Sequence, residues 1–301
     1  MALNNSGPIS LGGNTAGQSI ALELSLGATS QISLNDASVR GLAGVASGAI
    51  IMPTNFYGKA NTLTVAYLVV AGGGLGGGNR GGGGGAGGFR SVNSAALNKG
   101  TGITVTVGGA SGGSSFSNTS CTAGGRGGDG DNNVPPTSGG SGGGGGGRAG
   151  AASGTSGEGN AGTNGADNGP PFFVAGGGGG GAGGGVSGPY VVGQNGSTWL
   201  DGNTYAGGGG GGSQLGGGSL NGGSGGGGHG NDRNSSGPLT PGTANTGGGG
   251  GAGGDSRGGA NGGSGVVIIR YSGPQVANGG TVSSAGGFTY HTFNSSGTFT
   301  P

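Results

Sequence analysis

Residues that could carry out acid–base, nucleophilic or metal chemistry are few in this chain of 301 residues, and they stand far apart. The two histidines, His229 and His291, have no partner at the spacing of a metal site. The glutamates, Glu23 and Glu158, form no carboxylate pair of the kind that glycoside hydrolysis needs. The single cysteine, Cys121, has no basic residue beside it to activate the thiol, and it cannot form an intrachain disulfide. We therefore expect no enzyme, no metal site and no cofactor.

Two short motifs come close to ligand-binding signatures but lack required positions. Asp129-Gly-Asp131-Asn-Asn133 starts like a calcium loop, yet its sixth position is Val134 and its twelfth is Gly140, where glycine and glutamate are required. Gly58-Lys59 is followed by Ala60, whereas a phosphate-binding loop needs serine or threonine after the lysine. A polar loop is therefore the expected role of the first motif, and the second predicts no nucleotide site.

Five aromatic residues are stronger candidates for a functional site. They stand in or beside the insertions between glycine runs, where the sequence offers no core to bury them, and they are Phe172, Phe173, Tyr190, Trp199 and Tyr205. Aromatic side chains on a rigid scaffold are typical binding anchors, so we expect these residues to contact a receptor. The alternative is that they pack against one another as a cap, which the position of Tyr205 beside a glycine run favours for that residue.

The elements that must position these aromatics are unusual, because most of the 97 glycines lie between residues 72 and 265. Pure glycine runs such as 142–147 and 207–212 alternate with insertions that combine proline and large apolar residues. Flexible linkers are usually Gly/Ser mixtures, so this pattern favours an ordered scaffold. Polyglycine II is an extended helix without internal hydrogen bonds, close to polyproline II, so each buried peptide group needs a partner on a neighbouring rod.

Apolar segments frame the glycine region. Residues 63–71 and 266–271 read as strands that could pair, and residues 103–107 alternate like a further strand. The C-terminal aromatic alternation over residues 288–299 predicts a hairpin-like tail. The predicted fold class is thus mostly non-helical: a small N-terminal unit, a polyglycine II helix bundle framed by short β-strands, and a C-terminal β-hairpin-like tail. The corresponding domains are residues 1–60, 61–271 and 272–301.

The N-terminal unit carries two local patterns. Residues 19–26 have apolar side chains at every second position, which favours a half-buried strand and leaves a short helix open. Residues 37–46 predict a short helix preceded by Asn35 and Asp36 as candidate caps.

Charge and hydropathy exclude several kinds of partner. Ten basic residues stand against nine acidic ones without a basic stripe, so nucleic-acid binding is not expected. No apolar run approaches the roughly 20 residues that a membrane-spanning helix needs, so membrane insertion is not expected either. The N-terminus does not read as a secretory signal, and we expect a soluble protein made in a cytoplasm and released by a route such as cell lysis.

Three parts of the chain resemble proteins of tailed bacteriophages. Residues 6–59, with "SGPISLGG", "ISLNDASVRGLAGVASGAI" and "NFYGK", resemble the N-terminal segment of tail-fibre and baseplate-associated structural proteins. Residues 63–271, with "AYLVVAGGG", "GGAGGFR", "ITVTVG" and "GGSGVVIIRY", resemble the glycine-rich domain of phage tail proteins. The C-terminal "HTFNSSGTFT" is similar to units that flank such domains.

The resemblance implies a virion protein of the tail or tail fibre, assembled in the host cytoplasm, whose residues 1–60 attach it to other tail, baseplate or fibre proteins. It also implies a host adhesin that binds a protein or glycan receptor on the bacterial surface. By analogy with phage fibres we expect a homo-oligomer, with a trimer as the first candidate. Two alternatives stay open: a purely structural component whose glycine domain is a spacer or assembly interface, and an ice-binding bundle, which the irregular aromatic loops disfavour.

Overall fold

The computed structural model describes residues 2–130, 134–167, 174–184, 191–214, 220–233 and 239–301. The contacts divide the chain into two compact units. The first consists of Met1–Thr64, Ala96–Thr101 and Pro301, and the second of Val65–Ala95 and Gly102–Thr300.

Short helices precede a long series of strands. The helices are α1 (Ile20–Glu23), α2 (Ala37–Ala43) and a 3-10 helix (Thr54–Phe56). The strands are β1 (Thr62–Val70), β2 (Phe89–Asn98), β3 (Ile103–Thr106), β4 (Ser114–Phe116), β5 (Thr119–Cys121), β6 (Ala166–Asp167), β7 (Val174–Ala175), β8 (Ser197–Thr198), β9 (Thr204–Tyr205), β10 (Val266–Ser272), β11 (Thr281–Ala285), β12 (Phe288–Phe293) and β13 (Gly297–Phe299). Among the described residues, no helix is long and apolar enough to cross a membrane.

The first unit has a small apolar core of its own. Buried side chains from the N-terminal segment, α1, α2 and the 3-10 helix meet there, and they are Leu3, Ile20, Val39, Leu42, Ala43 and Phe56. Half-buried apolar residues from the connecting loops, among them Ile32 and Met52, pack around this cluster. The unit therefore has its own hydrophobic stabilisation, although it contains little regular structure.

Residues 19–26 correct one local expectation, because Ile20–Glu23 form the short helix α1 and the segment is not the favoured strand. Ser19 occupies the N-cap, where its Oγ accepts a hydrogen bond from the Leu22 amide at 3.3 Å. The helix over 37–46 is confirmed in a shorter form, since α2 ends at Gly44 with a left-handed φ of 73° that glycine adopts readily. Asp36 stands at the N-cap of α2, but its Oδ2 accepts from the Ser33 amide at 2.7 Å and does not cap the helix.

The framing strands form a five-stranded sheet in the order β11-β12-β10-β1-β2. β1 pairs antiparallel with β10 from Ala66↔Arg270 to Val70↔Val266, which confirms that the two apolar runs pair. β10 pairs on its other side with β12, which also pairs with β11. Both β1 and β10 are rich in β-branched residues, which suit a sheet buried on both faces.

One face of this sheet packs against a four-stranded sheet in the order β13-β3-β4-β5. The contact is made by aromatic rings in edge-to-face geometry. The Tyr67 and Phe116 ring centroids are 5.0 Å apart, and those of His291 and Phe299 are 5.1 Å apart. All four side chains are almost completely buried, so this layer is part of the apolar core of the second unit.

The glycine segments are ordered by backbone hydrogen bonds to one another. Segment 81–86 lies at their centre, and its amides donate at 2.8–3.2 Å to carbonyls of three segments in rotation: 247–254, 124–130 and 176–181. Its carbonyls accept at 2.8–2.9 Å from three further segments, namely 207–212, 72–78 and 141–147. Every third peptide group returns to the same neighbour, and these segments are largely buried. We call this array the glycine core; it is not a flexible linker.

Neighbouring segments approach so closely that the glycine core has no space for side chains. A Cβ atom built at Gly83 would overlap the carbonyl of Gly209 and lie 2.9 Å from the Gly179 nitrogen. A Cβ atom at Gly249 would overlap the Gly84 carbonyl and lie 2.9 Å from the Gly209 nitrogen. Backbone atoms of hydrogen-bonded segments cannot rotate away as a side chain can, so these positions require glycine.

The predicted fold class, a polyglycine II helix bundle with a hairpin-like tail, is wrong. The regular secondary structure of the described residues is antiparallel β-sheet with two short α-helices, and no helical bundle is present there. The β-branched run of β10 pairs with β1 on one side and with β12 of the tail on the other, so antiparallel sheets supply the regular secondary structure. The tail does contain a hairpin, but β11 and β12 form it, and residues 288–299 do not pair with one another because β13 pairs with β3 in the other sheet.

Candidate functional site

The β8–β9 hairpin lies over the second face of the five-stranded sheet. Trp199 and Tyr205 are 6% and 8% exposed and pack against apolar residues of β1 and β10. The hairpin loop is tight, since the Trp199 amide donates to the Asn203 carbonyl at 2.9 Å and the Gly202 amide donates to the Trp199 carbonyl at 3.0 Å. Gly202 has a φ of +81°, which favours glycine at this turn. The burial of two aromatic rings therefore anchors a short polar loop on the sheet.

A cleft of about 380 Å³ lies between this hairpin and strands β10–β12. Its floor includes Val266 and Ile268 of β10. Its polar walls come from the hairpin, from Asn245, from β11, from β12 and from the residue that follows β12. Their residues are Asp201, Asn203, Tyr205, Asn245, Ser283, Tyr290, Thr292 and Asn294. An apolar base with converging polar groups is the usual composition of a small-molecule site.

Asp201 is the central polar group of the cleft. Its Oδ2 accepts hydrogen bonds from the Tyr205 hydroxyl at 2.7 Å and from Asn203 Nδ2 at 3.1 Å. Its Oδ1 accepts from the Asn203 amide at 3.0 Å. Among the described residues that line the cleft, Asp201 alone is charged. The carboxylate is thus held in one orientation, and it gives the cleft a negative charge.

Arg270 ties the hairpin loop to the wall of the cleft. Its Nη1 donates to the Leu200 carbonyl at 3.0 Å and to the Tyr290 hydroxyl at 3.3 Å. Its guanidinium carbon lies 4.2 Å from the centroid of the Phe288 ring, in a cation–π contact. Arg270 and Tyr290 are cross-strand partners on β10 and β12, so the sheet register itself places this contact. The Tyr290 oxygen therefore acts as an acceptor for Arg270, and its own proton remains available to a ligand.

Tyr205 stays protonated at the edge of the cleft. Burial raises the pKa of its phenol above the ordinary value, and the neighbouring Asp201 carboxylate raises that pKa further. The two effects act in the same direction, because a phenolate there would lose its hydrating water and would also face the negative charge of Asp201. Tyr205 is therefore a hydrogen-bond donor to Asp201 over the whole physiological pH range.

The structure separates the five aromatic candidates. Trp199 and Tyr205 meet in the buried cluster under the hairpin, where Trp199 has little surface to offer a partner and Tyr205 contributes only an edge to the cleft. Phe172, Phe173 and Tyr190 lie outside the described residues. Receptor contact by these aromatics stays a prediction.

Sequence patterns alone do not identify the polar residues of the cleft. Tyr290 is separated from Asp201 and Asn203 by almost a third of the chain length, and only the fold brings them together. One signal was present: Asp201-Gly-Asn203 is a turn sequence directly between two short β-prone segments. The alternation in β12 also marks Tyr290 and Thr292 as one face, but it does not show what lies opposite.

A second hollow, of about 660 Å³, lies beside the first residues of β2 and includes Arg90 and Glu158. The Glu158 carboxylate is buried, accepts the Thr122 amide at 2.7 Å and pairs with Arg90 at 3.3 Å. The nearby Cys121 thiol donates to the Val69 carbonyl at 3.2 Å, and burial, with Glu158 as the second cause, raises its pKa to about 12. These groups hold segments together, and the thiol is far from the thiolate form that reacts.

The histidines and Asp129 also occupy structural positions. His291 is fully buried, where its Nδ1 donates to the Gly279 carbonyl at 2.6 Å and its Nε2 accepts from the Tyr271 hydroxyl at 3.0 Å. His229 is exposed and contacts Asn221. Asp129 accepts the Gly78 amide at 2.6 Å and pairs with Arg126 at 2.8 Å. Within the described ranges, no group of three His, Cys, Asp or Glu side chains could hold a metal ion.

Comparison with known proteins identifies the glycine region. The family described as a glycine-rich domain matches residues 52–272, which is most of the chain. No curated protein and no solved structure matches the sequence. The matched range includes the glycine core, strands β1 to β10 and the β8–β9 hairpin, so the hairpin wall of the cleft is part of the family domain. The walls from β11 and β12 lie beyond it.

Proposed function

Because the chain belongs to the glycine-rich domain family, we propose that it is a structural protein of a bacteriophage tail or tail fibre that binds a receptor on the bacterial surface. The family match supports the glycine-rich domain, and the resemblance of residues 6–59 and 291–300 to phage tail proteins supports the virion location. Receptor binding is supported by the cleft.

One observation carries receptor binding: the cleft is built on elements that are already rigid. Tyr205 ends β9, and the chain continues at once into the glycine core, where the Ala206 amide donates to Thr246 at 2.8 Å and the Gly209 amide donates to Gly84 at 2.9 Å. The opposite wall is a paired sheet. Immobilising a flexible side chain on binding costs about 0.5–1.5 kcal/mol, so a site that is ordered beforehand keeps that free energy for affinity.

The remaining parts of the proposal concern assembly. Residues 1–60 attach the protein to other tail, baseplate or fibre proteins, and their separate apolar core suits an independent attachment unit. Ile51 is 61% exposed there and is a candidate contact for such a partner. The assembled form is a homo-oligomer, with a trimer by analogy with phage fibres, and assembly takes place in the host cytoplasm.

Adsorption to bacteria tests this function. Fluorescently labelled full-length protein is incubated with a panel of bacterial strains, and bound fluorescence is measured by flow cytometry. We expect saturable binding to a subset of strains and a marked loss for the Phe172→Ala/Phe173→Ala and Tyr190→Ala variants. Val276→Ala, which truncates an exposed apolar residue elsewhere, is the control and should bind normally. Binding to no strain would contradict receptor recognition, and normal binding by the aromatic variants would exclude those three residues as contacts.

A second function, a purely structural fibre or baseplate component, is favoured by one observation. Trp199 and Tyr205, the two described aromatic candidates, are buried in the apolar cluster and are not presented as anchors. In that case the glycine core is a spacer or an assembly interface. This alternative predicts that the protein binds no bacterial strain, whereas its incorporation into particles depends on residues 1–60.

A further inference from the structure

We propose that the cleft between the β8–β9 hairpin and strands β10–β12 binds an uncharged sugar unit. The assignment rests on the proposed receptor-binding function and names its ligand class, a neutral glycan. The cleft volume of about 380 Å³ lies at the lower end of the roughly 300–1,000 Å³ range of ligand pockets, which suits a mono- or disaccharide unit.

The first argument is the number of polar groups in the cleft that are accessible to a ligand and have no protein partner among the described residues. The Ser283 and Thr292 hydroxyls and the Asn294 amide line it without a side-chain hydrogen-bond partner among the described residues. A hydroxyl both donates and accepts, and a side-chain amide offers two donors and an acceptor. A ligand with many hydroxyl groups complements such a mixed set, because each of its hydroxyls can also do both.

The second argument is the position of Asp201. Three of the roughly four acceptor positions of a carboxylate are occupied by Asn203 and Tyr205, which leaves a free position on Oδ1. A sugar hydroxyl that donates there would form a charge-assisted hydrogen bond, about twice as strong as a neutral one. Because the carboxylate is already oriented, this bond requires little further ordering.

The third argument is the apolar surface beside these polar groups. Val266 and Ile268 form the floor, and the Tyr290 ring packs against the same apolar cluster. A pyranose ring has hydroxyls at its rim and C–H groups on its faces, so it can cover an apolar floor while its rim reaches the walls. The Tyr290 hydroxyl accepts from Arg270 and can still donate its proton to that rim.

Other ligand classes fit this lining less well. An anionic ligand would face the Asp201 carboxylate, and the nearest arginine, Arg270, is already bound to Leu200, Tyr290 and the Phe288 ring. A purely apolar ligand would bury the free hydroxyls and the amide without partners, at about 1–3 kcal/mol for each group. The chemistry of the cleft therefore selects an uncharged polyhydroxylated ligand.

Strand β11 offers a matched pair of variants for the test. Ser283 lies on the cleft face, whereas Ser284 points to the opposite face of the same exposed strand. Ser283→Leu places bulk in the cleft, and Ser284→Leu places the same bulk outside it. Asp201→Asn removes the charge while it nearly preserves the shape. Thermal melting of each variant confirms that the fold is retained before binding is compared.

Saturation-transfer NMR on the full-length protein measures binding with a defined panel of probes. The panel contains neutral glucose, galactose, mannose and N-acetylglucosamine oligosaccharides, with sialylated and phosphorylated sugars as anionic counterparts. We expect at least one neutral oligosaccharide to bind, with affinity at least 10-fold lower in Ser283→Leu and Asp201→Asn and unchanged in Ser284→Leu. Binding by none of the neutral sugars, binding by anionic sugars alone, or equal affinity in the two leucine variants would overturn the assignment.

The adsorption assay separates this inference from the function on which it rests. Bacterial adsorption that persists undiminished in Ser283→Leu would overturn the sugar assignment and leave receptor binding intact. Sugar binding that depends on Ser283, combined with adsorption to no strain, would support the cleft assignment and contradict the proposed function.

Discussion

Replacing a single central glycine by alanine should be strongly destabilising, although the change adds only one methyl group. Gly83 lies in segment 81–86, whose peptide groups bond to six neighbouring segments. The new Cβ would overlap the Gly209 carbonyl and lie 2.9 Å from the Gly179 nitrogen. These two residues are themselves joined by a hydrogen bond of 2.8 Å from the Gly179 amide to the Gly209 carbonyl. Relief of the overlap therefore has to disturb a bond between two other segments.

The expected magnitude follows from these contacts. Overpacking by a methylene in a dense core costs about 1–3 kcal/mol. The Gly179–Gly209 bond and the bond from Gly83 to Gly177 each contribute about 1 kcal/mol if they are lost. Gly83→Ala should therefore lower the free energy of unfolding by roughly 3–5 kcal/mol. At about 2 °C per kcal/mol for a chain of this size, the melting temperature should fall by on the order of 5–10 °C.

Gly258→Ala is the matched control, measured by differential scanning calorimetry together with the wild type. Gly258 is exposed, and a Cβ there would meet no atom within 4 Å. Alanine at such a position restricts the unfolded chain and should leave stability unchanged or raise it by about 0.4–1 kcal/mol. Equal melting temperatures for Gly83→Ala and Gly258→Ala would refute the close packing of the glycine core.

Two further predictions concern buried ionisable groups. The pKa of Cys121 is about 12 in the folded protein against 9.0 for a free thiol, so the unfolded chain releases its proton first and stability falls as the pH rises from 9.0 towards 12. Cys121→Ala should reduce this slope by up to about 1.4 kcal/mol per pH unit in urea unfolding, and an unchanged slope would contradict the assignment. Glu158→Ala should cost about 2–3 kcal/mol because it removes the acceptor of the Thr122 amide and the partner of Arg90. Glu158→Gln keeps an acceptor and should cost about 1 kcal/mol less, as chemical denaturation can measure.

The strands that frame the glycine region were predictable because their patterns are local. β-Branched runs at β1 and β10 predict buried strands, and the structure pairs them from Ala66↔Arg270 to Val70↔Val266. The tail was misread because its aromatic alternation shows strands but does not show which partners they take. Phe293 and Phe299 belong to strands in different sheets, so the apparent hairpin is a crossing between layers.

The arrangement of the glycine segments could not be predicted in the same way. A glycine run has no side-chain pattern, so neither its direction nor its neighbours are encoded locally. Its structure follows from backbone hydrogen bonds to segments far away in the chain, such as the bond of Gly84 to Gly250. The sequence correctly favoured order over a linker, but it predicted a helix bundle where antiparallel sheets supply the regular frame.

The cleft could not be predicted from the sequence, for a related reason. Asp201 and Tyr290 meet only because β10 places Arg270 beside both the hairpin loop and β12. The aromatics beside the glycine runs stood out by type, yet Trp199 and Tyr205 serve as the buried support of the hairpin. The sequence does show a small polar loop, Asp201–Asn203, next to an aromatic residue. It does not show that strands β10–β12 form the opposite surface of the cleft.

Amide hydrogen exchange measures directly whether the glycine core that holds the cleft is ordered. The amides of segments 81–86 and 207–212 bond to neighbouring segments, whereas the β11–β12 turn at Gly286 and Gly287 is exposed and serves as the internal reference. We predict that both glycine segments exchange only through global unfolding, orders of magnitude more slowly than the turn. If these segments exchange at the rate of the turn, the glycine region is a flexible linker and the ordered glycine core is contradicted.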